Sequence, residues 1–320
     1  MAKSVIVSPV HKQPSLRWIE ALPNDVDIII VDDSNGKVKI DKDNVELFDY
    51  KKQQEEAKDF YPLFELFHRS AACKNFGLWL AYKRGYDVVI VIDSDCILPL
   101  NFVEKHLEIL NKKAQGWVNP LDGIDNGKWF SRGFPYSQRE KRIVVNMGLW
   151  SWELDINGVD KIGESLPRYV LVSETRSVVG KIPFSGMNFA IRREVIPALL
   201  FLPNYDYKEL RFRRHDDIWG GYIMQKLIEK RNEAMTFGPP IIYHETEVDP
   251  IEDAINEEAM NFYSDSFYSI VDEIMKKVRF GSYQEMFKQF ADNCYLFKKT
   301  VFEPFIYPIK EWSKLWQNFR

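Results

Sequence analysis

Hydrophobic and polar positions follow two regimes along the chain. Up to about residue 250, short and nearly continuous apolar runs alternate with amphipathic stretches. Beyond it, apolar residues recur at the three-and-four spacing of helices over 251–262, 267–278, 283–297 and 309–319. In the first regime, 4–9 and 26–31 read as strands joined by a short helix over 14–21, and 37–43 is polar with room for one short strand. Helix formers fill 50–82, broken near Tyr61-Pro62 and closed by Lys83-Arg84-Gly85, cations followed by a glycine stop. A strand over 88–92 and a helix over 99–113 come next. Strands are expected around 116–118 and 128–130 with a loop at 122–127, then a loop-rich insertion over 146–158 and a strand over 169–172. A turn at 183–187 enters a strand ending at Ile191, and helices over 193–200 and 222–230 precede a short strand over 241–245.

Strands without strict alternation imply a sheet covered on both faces. The expected fold class is α/β, a mixed, mainly parallel sheet flanked by helices, in a domain over 1–250. A helical C-terminal appendage over 251–320 is expected to serve packing or a homo-oligomer surface.

Composition narrows this modestly. The chain has 320 residues, 45% of them hydrophobic, enough for a sizeable core. Its 43 basic and 47 acidic side chains give a net charge of −4 without a basic run, which argues against a nucleic-acid partner. The longest apolar runs are too short to span a bilayer, and no signal peptide is visible, so no membrane span is expected. Cysteines at 73, 96 and 294 have no metal-ligand spacing and form an odd count, which makes a reducing cytoplasm the simplest compartment.

The chemistry centres on the run 86–98, where five apolar residues lead into Asp93-Ser94-Asp95. Residues two apart in an extended chain face the same side, so both carboxylates can meet one ligand, a divalent cation holding a diphosphate. An acidic turn fits the same three residues. Asp32 and Asp33 end the second strand, placed either to contact the base or ribose of a nucleotide or to close an Asx-turn. Lys74 lies near a helix start, suited to phosphate or to a solvated face. Arg132 and Arg139 flank a Gly and a Pro, an arrangement that presents two cations from a bent loop to a diphosphate. Gly186 and Asn188 bring backbone and amide groups toward a sugar, or form an ordinary turn. Asp216 and Asp217 open a helix beside Arg214, His215 and Trp219, either as caps or as a site carboxylate pair. His244, just past a strand, is a third candidate metal ligand.

Taken in order, 92–96, 132–139, 148–150, 185–188, 215–221 and 243–244 resemble the reversibly glycosylated polypeptide family, which includes the plant UDP-arabinopyranose mutases. The resemblance covers roughly residues 69–250. It implies a GT-A-like fold, that of nucleotide-diphospho-sugar transferases, and a UDP-sugar bound through Mn2+ or Mg2+. The implied reaction interconverts the pyranose and furanose rings of a UDP-arabinose-like sugar. Carried over by position, Arg132 is the arginine that becomes reversibly glycosylated and Arg139 a second required one, with Asp216 or Asp217 accepting the guanidinium proton. A diphosphate clamp is the alternative role for Arg132. Asp95 is then the direct metal ligand, Asp93 its ribose-side or water-mediated companion, and Trp150 and Trp219 substrate contacts.

The chain departs from the family pattern at several of these positions. Ser94 replaces the middle aspartate of Asp-Asp-Asp, Asn146-Met147 replaces Ser-His, Ser185 replaces a cysteine, and Glu245-Thr246 replaces Ser-Lys. Beside the mutase, two other functions fit the motifs. One is a metal-dependent glycosyltransferase with an external acceptor, and the other a sugar-nucleotide-binding subunit that assembles through its C-terminal helices.

Overall fold

The valine and isoleucine run Val88–Ile92 forms a strand buried at every position, as an apolar run with no polar alternation requires. A computed structural model places it in the middle of a large sheet and describes residues 2–12, 17–122, 129–163, 172–246, 249–317 and 319. The strands are β1 (Ser4–Val10), β2 (Asp27–Asp32), β3 (Val45–Phe48), β4 (Val88–Ile92), β5 (Cys96–Ile97), β6 (Lys113–Ala114), β7 (Lys141–Trp152), β8 (Arg176–Ser177), β9 (Asn188–Arg192), β10 (Tyr205–Tyr207), β11 (Leu210–Phe212) and β12 (Ala234–His244). The α-helices are α1 (Arg17–Ala21), α2 (Tyr50–Ala57), α3 (Tyr61–Glu65), α4 (Lys74–Lys83), α5 (Phe102–Leu110), α6 (Gly158–Lys161), α7 (Asp216–Lys230), α8 (Pro250–Lys277), α9 (Tyr283–Asn293) and α10 (Ile306–Trp316).

The main sheet runs β3-β2-β1-β4-β9-β7-β12-β5, with β6 on β7 and β8 on β12. β1 to β4 are parallel, β9 is antiparallel to both β4 and β7, and β7 is parallel to β12. The carboxyl ends of β1, β2, β4, β7 and β12 therefore leave the sheet at one edge, where ligands of open α/β sheets sit. This is the mixed, mainly parallel sheet flanked by helices that the sequence predicts.

Side chains alternate between two cores. Ile6, Ile28 and Ile90 pack with Trp18 of α1 and Phe102 and Ile109 of α5. On the other face, Val5, Ile29 and Val89 share one core with α4, α7 and the C-terminal helices, through Phe267, Ile274, Phe290, Trp312 and Trp316. Each such side chain stabilises the fold by about 1.5–3 kcal/mol, so helices α8, α9 and α10 are built into the same interior as the sheet.

Several elements differ from expectation for local reasons. The expected helices over 251–262 and 267–278 are one, α8, begun by Pro250 and capped by the Asp249 side chain on the Ile251 N–H, with no breaker between. The helix expected over 193–200 is a 3-10 turn over Arg193–Ala198, because Pro197 within it lacks an N–H. Residues 146–152, expected as loop, continue β7; a Cβ on Gly148 would run into the Asn188 amide, which explains a glycine in mid-strand. β12 begins at Ala234 rather than 241, its register shifting between Gly238 and Ile241 around two prolines that cannot join the ladder. No strand forms at 116–118; the short strand falls at Lys113–Ala114. α7 starts at Asp216, six residues before the expected 222. Residues 13–16, 123–128 and 169–171, within an expected helix, loop and strands, lie outside the described residues.

Candidate active site

β4 ends at Ile92 and delivers Asp93 and Asp95 to the carboxyl edge. The Asp93 N–H donates to the Met187 carbonyl (3.0 Å), which joins this turn to the approach of β9. Its Oδ1 lies 2.7 Å from the Nζ of Lys74, the first residue of α4. Lys74 is 2% exposed and also donates to the Gly186 carbonyl at 2.9 Å. Burial alone would discharge this lysine, but Asp93, with Asp217 and Asp216 behind it, holds its pKa above the ordinary value. Burial pushes the Asp93 carboxyl up, and the pull of Lys74 only partly offsets it.

Asp95 faces the end of β12. Thr246 Oγ1 donates to its Oδ2 at 2.6 Å, and His244 Nε2 lies 3.4 Å from the same oxygen. The other ring nitrogen of His244, Nδ1, is 3.0 Å from the Glu153 carbonyl, an acceptor, so Nδ1 carries a hydrogen and Nε2 is turned to Asp95. Burial raises the Asp95 carboxyl, yet the hydrogen bonds from His244 and Thr246 outweigh it and hold the group well below the usual carboxylate range. Burial would lower His244, and Asp95 reverses that, raising it.

Asp216 and Asp217 open α7 beside this edge. The Gly186 N–H donates to Asp217 Oδ2 at 2.7 Å, and the Ile218 N–H to its Oδ1 at 2.8 Å. Asp216 is 6% exposed and its Oδ2 has no hydrogen-bond partner among the described residues. Burial drives both carboxyls upward, and the neighbouring Asp216 charge adds to the shift at Asp217. The pair thus holds a proton more readily than exposed carboxyls do.

These groups surround a cavity of about 660 Å³ lined also by Lys74, Trp150, Lys161 and, from α8, Asp253, Glu257 and Tyr268. A second hollow of about 340 Å³, lined by Pro9, His11, Ser94 and Asn204, adjoins it. Ala71, Asp93, Asp95, Arg214 and Asp216 border both. The C-terminal region therefore supplies a wall of the cavity, a role its amphipathic pattern did not signal.

Other expected site residues stand elsewhere. Arg132 and Arg139 precede the amino end of β7, at the edge opposite Asp95. Arg139 lies over Phe130 and Tyr136 (4.5 and 3.9 Å to the ring centres), and Gln138 beside it bonds Asn232 just before β12. Arg132 is exposed two residues from Phe130. Nine residues of β7, about 30 Å of extended chain, separate this loop from Trp150 at the cavity. The structure does not bring Arg132 or Arg139 to Asp216 and Asp217.

Asn188 is fully buried inside the sheet. Its amide donates to the Leu149 and Pro240 carbonyls, both at 3.0 Å, and its Oδ1 accepts from His106 Nε2 at 3.0 Å. It ties β9 to β7 and to the proline step of β12 and leaves no group for a sugar. Trp219 is likewise buried, stacked on Phe267 at 4.5 Å with its indole N–H on Ser264 Oγ at 2.9 Å. Gly186 works through its backbone, to Lys74 and Asp217. Asp32 accepts the N–H groups of Ser34 (2.8 Å) and Gly36 (3.1 Å), closing its own turn. Asp33 pairs with His11 Nδ1 at 3.0 Å and accepts from Tyr50 Oη at 2.8 Å, so it positions His11, which lines the smaller hollow.

For a divalent cation, Asp95 offers an oxygen and His244, once Nε2 has given up the proton it shares with Asp95, a nitrogen at one place on the cavity wall. Mg2+ or Mn2+ commonly takes one or two protein ligands and completes its shell with water and substrate phosphate, so this pair fits. Asp93 stands further off, drawn to Lys74. Among the described residues, three potential ligand atoms gather within 4.8 Å only at His11, Asp33 and Cys73. There burial pushes the Cys73 thiol well up, away from the thiolate a metal needs. Thr246, Glu153, His11 and Arg214 are site residues that sequence reasoning missed; only the dipeptide Arg213-Arg214 before the acidic pair hinted at one of them.

Fold and site together define an α/β protein with a carboxylate- and histidine-lined cleft at the carboxyl edge of its sheet. The chain belongs to the reversibly glycosylated polypeptide family, whose model matches residues 5–320. It is similar to UDP-arabinopyranose mutase 3 of Arabidopsis thaliana, 30% identical over 196 residues, 57% of this chain and 53% of the relative. UDP-arabinopyranose mutase 1 of Oryza sativa subsp. japonica is 31% identical over 199 residues, 57% and 52% of the two chains. These matches span about half the length of the curated relatives. Among solved structures, the chain is similar to glucosyl-3-phosphoglycerate synthase of Mycobacterium tuberculosis in complex with Mn2+, UDP and phosphoglyceric acid, with a TM-score of 0.45 and 13% identity over 82% of this chain and 78% of that one. No helix among the described residues is long and apolar enough to cross a membrane.

Proposed function

We propose that the protein is a nucleotide-sugar mutase that interconverts the pyranose and furanose forms of a UDP-arabinose-like UDP-sugar. The observation that carries this reading is that Asp95 and His244 meet on the wall of the same cavity that the partnerless Asp216 oxygen lines, in a chain of this family. Ring interconversion breaks the bond from the anomeric carbon to the diphosphate, bonds a second sugar hydroxyl oxygen to that carbon, breaks its bond to the original ring oxygen and restores the diphosphate bond. A divalent cation held by Asp95 and His244 would neutralise the charge that develops on the diphosphate.

The remaining steps fall to the protein's own groups. Reclosure removes a proton from one hydroxyl and returns one to the released ring oxygen. Asp216 and Asp217, buried and raised in pKa, face the cavity as the pair to carry it. Trp150 and Tyr268, which line the cavity, give the sugar apolar faces. Within one chain, Arg132 lies out of reach of an anomeric carbon bound beside Asp95, so a glycosyl-arginine would have to form between two molecules.

The test is incubation with a panel of nucleotide sugars and Mn2+ or Mg2+, reading product ring form by NMR. A furanose product without added acceptor is the expected result. Sugar transfer to an added acceptor with no ring interconversion would replace this reading by a glycosyltransferase, and binding without turnover by a sugar-nucleotide-binding subunit.

A further inference from the structure

We infer that Arg214 is the cation that binds the diphosphate of the nucleotide sugar, and that α8 holds it in position through Asp253. The inference rests on the proposed nucleotide-sugar reading and adds to it a residue that neither the motifs nor the comparisons assign.

One divalent ion balances the two charges of a nucleotide sugar's diphosphate, but the charge released when the bond to the sugar breaks calls for a further cation, and Arg132 and Arg139, the sequence candidates for a clamp, stand at the far edge of the sheet. The other cations around the cavity are already engaged. Lys74 is held by Asp93 and the Gly186 carbonyl. Lys161 lies between Glu153 (3.0 Å) and Asp253 (3.3 Å). Arg213 also borders the smaller hollow, but its guanidinium is engaged by the Tyr205 and Phe212 carbonyls and by Asp206.

Arg214 differs in each respect. Its side chain is 53% exposed, and among the described residues its hydrogen bonding is one contact, Nη2 to Asp253 Oδ1 at 2.8 Å. Four of the five N–H groups of a guanidinium are then left for a ligand. It borders both hollows, at their junction with Asp93, Asp95 and Asp216. A nucleoside near Pro9 and His11, at the end of β1, and a sugar in the larger cavity would place the two phosphates at that junction. Its backbone has φ 57°, a left-handed conformation that non-glycine residues adopt at a cost and that recurs at functional positions. Asp253 fixes one edge of the guanidinium and, through Lys161, belongs to the α6–α8 wall, so the long C-terminal helix orients the group that meets the diphosphate.

The experiment is calorimetric titration of the full chain with UDP and with uridine, each with Mn2+ present, for wild type, Arg214→Ala, Arg214→Lys and Arg214→Gln, with folding checked by circular dichroism. UDP affinity is expected to fall roughly tenfold or more in the Ala and Gln variants and to recover in part with Lys, which keeps charge without the planar fork. Uridine affinity is expected to stay unchanged. Wild-type UDP affinity in Arg214→Gln, or equal losses for UDP and uridine, would overturn the role of Arg214 and leave the mutase reading standing. Failure of the wild type to bind UDP with Mn2+ would overturn both.

Discussion

The ammonium of Lys74 sits 2.7 Å from Asp93 Oδ1 with the lysine withdrawn from solvent, so one carboxylate of the Asp93-Ser94-Asp95 motif is neutralised from inside the protein. The other, Asp95, is held charged by donors from the end of β12. Two aspartates that look equivalent in sequence thus have different settings: Asp93 is tied to Lys74 and Asp95 to His244 and Thr246 on the cavity wall.

Removing one partner of a buried ion pair leaves the other charge uncompensated, which costs about 3–5 kcal/mol. Lys74→Met should therefore lower stability in urea denaturation by about that much. The double variant Lys74→Met with Asp93→Asn should lose clearly less than the sum of the single losses. Additive losses would show that the two side chains do not depend on each other.

Asn188 separates a structural from a substrate role. Asn188→Ala would leave the His106 N–H and two strand carbonyls without their partner, at a cost of about 1–3 kcal/mol for each buried group left unsatisfied. The prediction is a lowered melting temperature with KM for the nucleotide sugar within about twofold of wild type, the range expected when no direct contact is lost. A raised KM at unchanged stability would return Asn188 to the sugar site.

Much of the architecture was legible in the chain. Uninterrupted runs such as 88–92 read as interior strands, and the carboxylates and histidine at the cavity follow the ends of such strands. What stayed hidden has physical causes. Pro239 and Pro240 broke the strand pattern of β12, although the Asn146 and Asn188 side chains take up their carbonyls. Asn188 and Trp219 carry polar atoms that suggest a ligand, yet those atoms are used up inside the core. Arg132 and Arg139 are near the other motifs in sequence order, but the length of β7 carries the cavity edge far from them. Arg214 was screened by its neighbours, since nothing local says which of two adjacent arginines turns inward.

The buried His106 gives a pH signature. Its Nε2 donates to Asn188 Oδ1 and its Nδ1 accepts from Asn146, a neutral ring that burial pushes down to about 4. Between the unfolded value of about 6.5 and about 4, only the unfolded state takes up the proton. Stability is then greatest above pH 6.5 and falls with decreasing pH, by on the order of 1 kcal/mol per pH unit from this group, levelling below 4. Urea midpoints across pH 4–7 should show this slope added to that of His215, which burial also pushes down to about 4, and His106→Gln should reduce it. An identical slope in the variant would remove the assignment.

Placement of Arg132 makes a kinetic prediction. If incubation with labelled nucleotide sugar glycosylates Arg132, the transfer passes between molecules, and the initial labelling rate per chain should rise with protein concentration at fixed sugar. Mass spectrometry of the modified peptide over a tenfold dilution series measures it. A rate per chain independent of dilution would mean that the Arg132 loop reaches the cavity of its own molecule.

The central claim, that the Asp95–His244 edge is where ring interconversion happens, is tested most directly by following the anomeric proton of UDP-arabinopyranose by NMR with Mg2+. Wild type and Asp95→Asn are compared, both confirmed as folded. The account predicts a furanose signal growing to equilibrium with wild type and a rate lowered at least a hundredfold in Asp95→Asn, as expected for loss of a charged group acting in the transition state. Equal rates for the two proteins would contradict it.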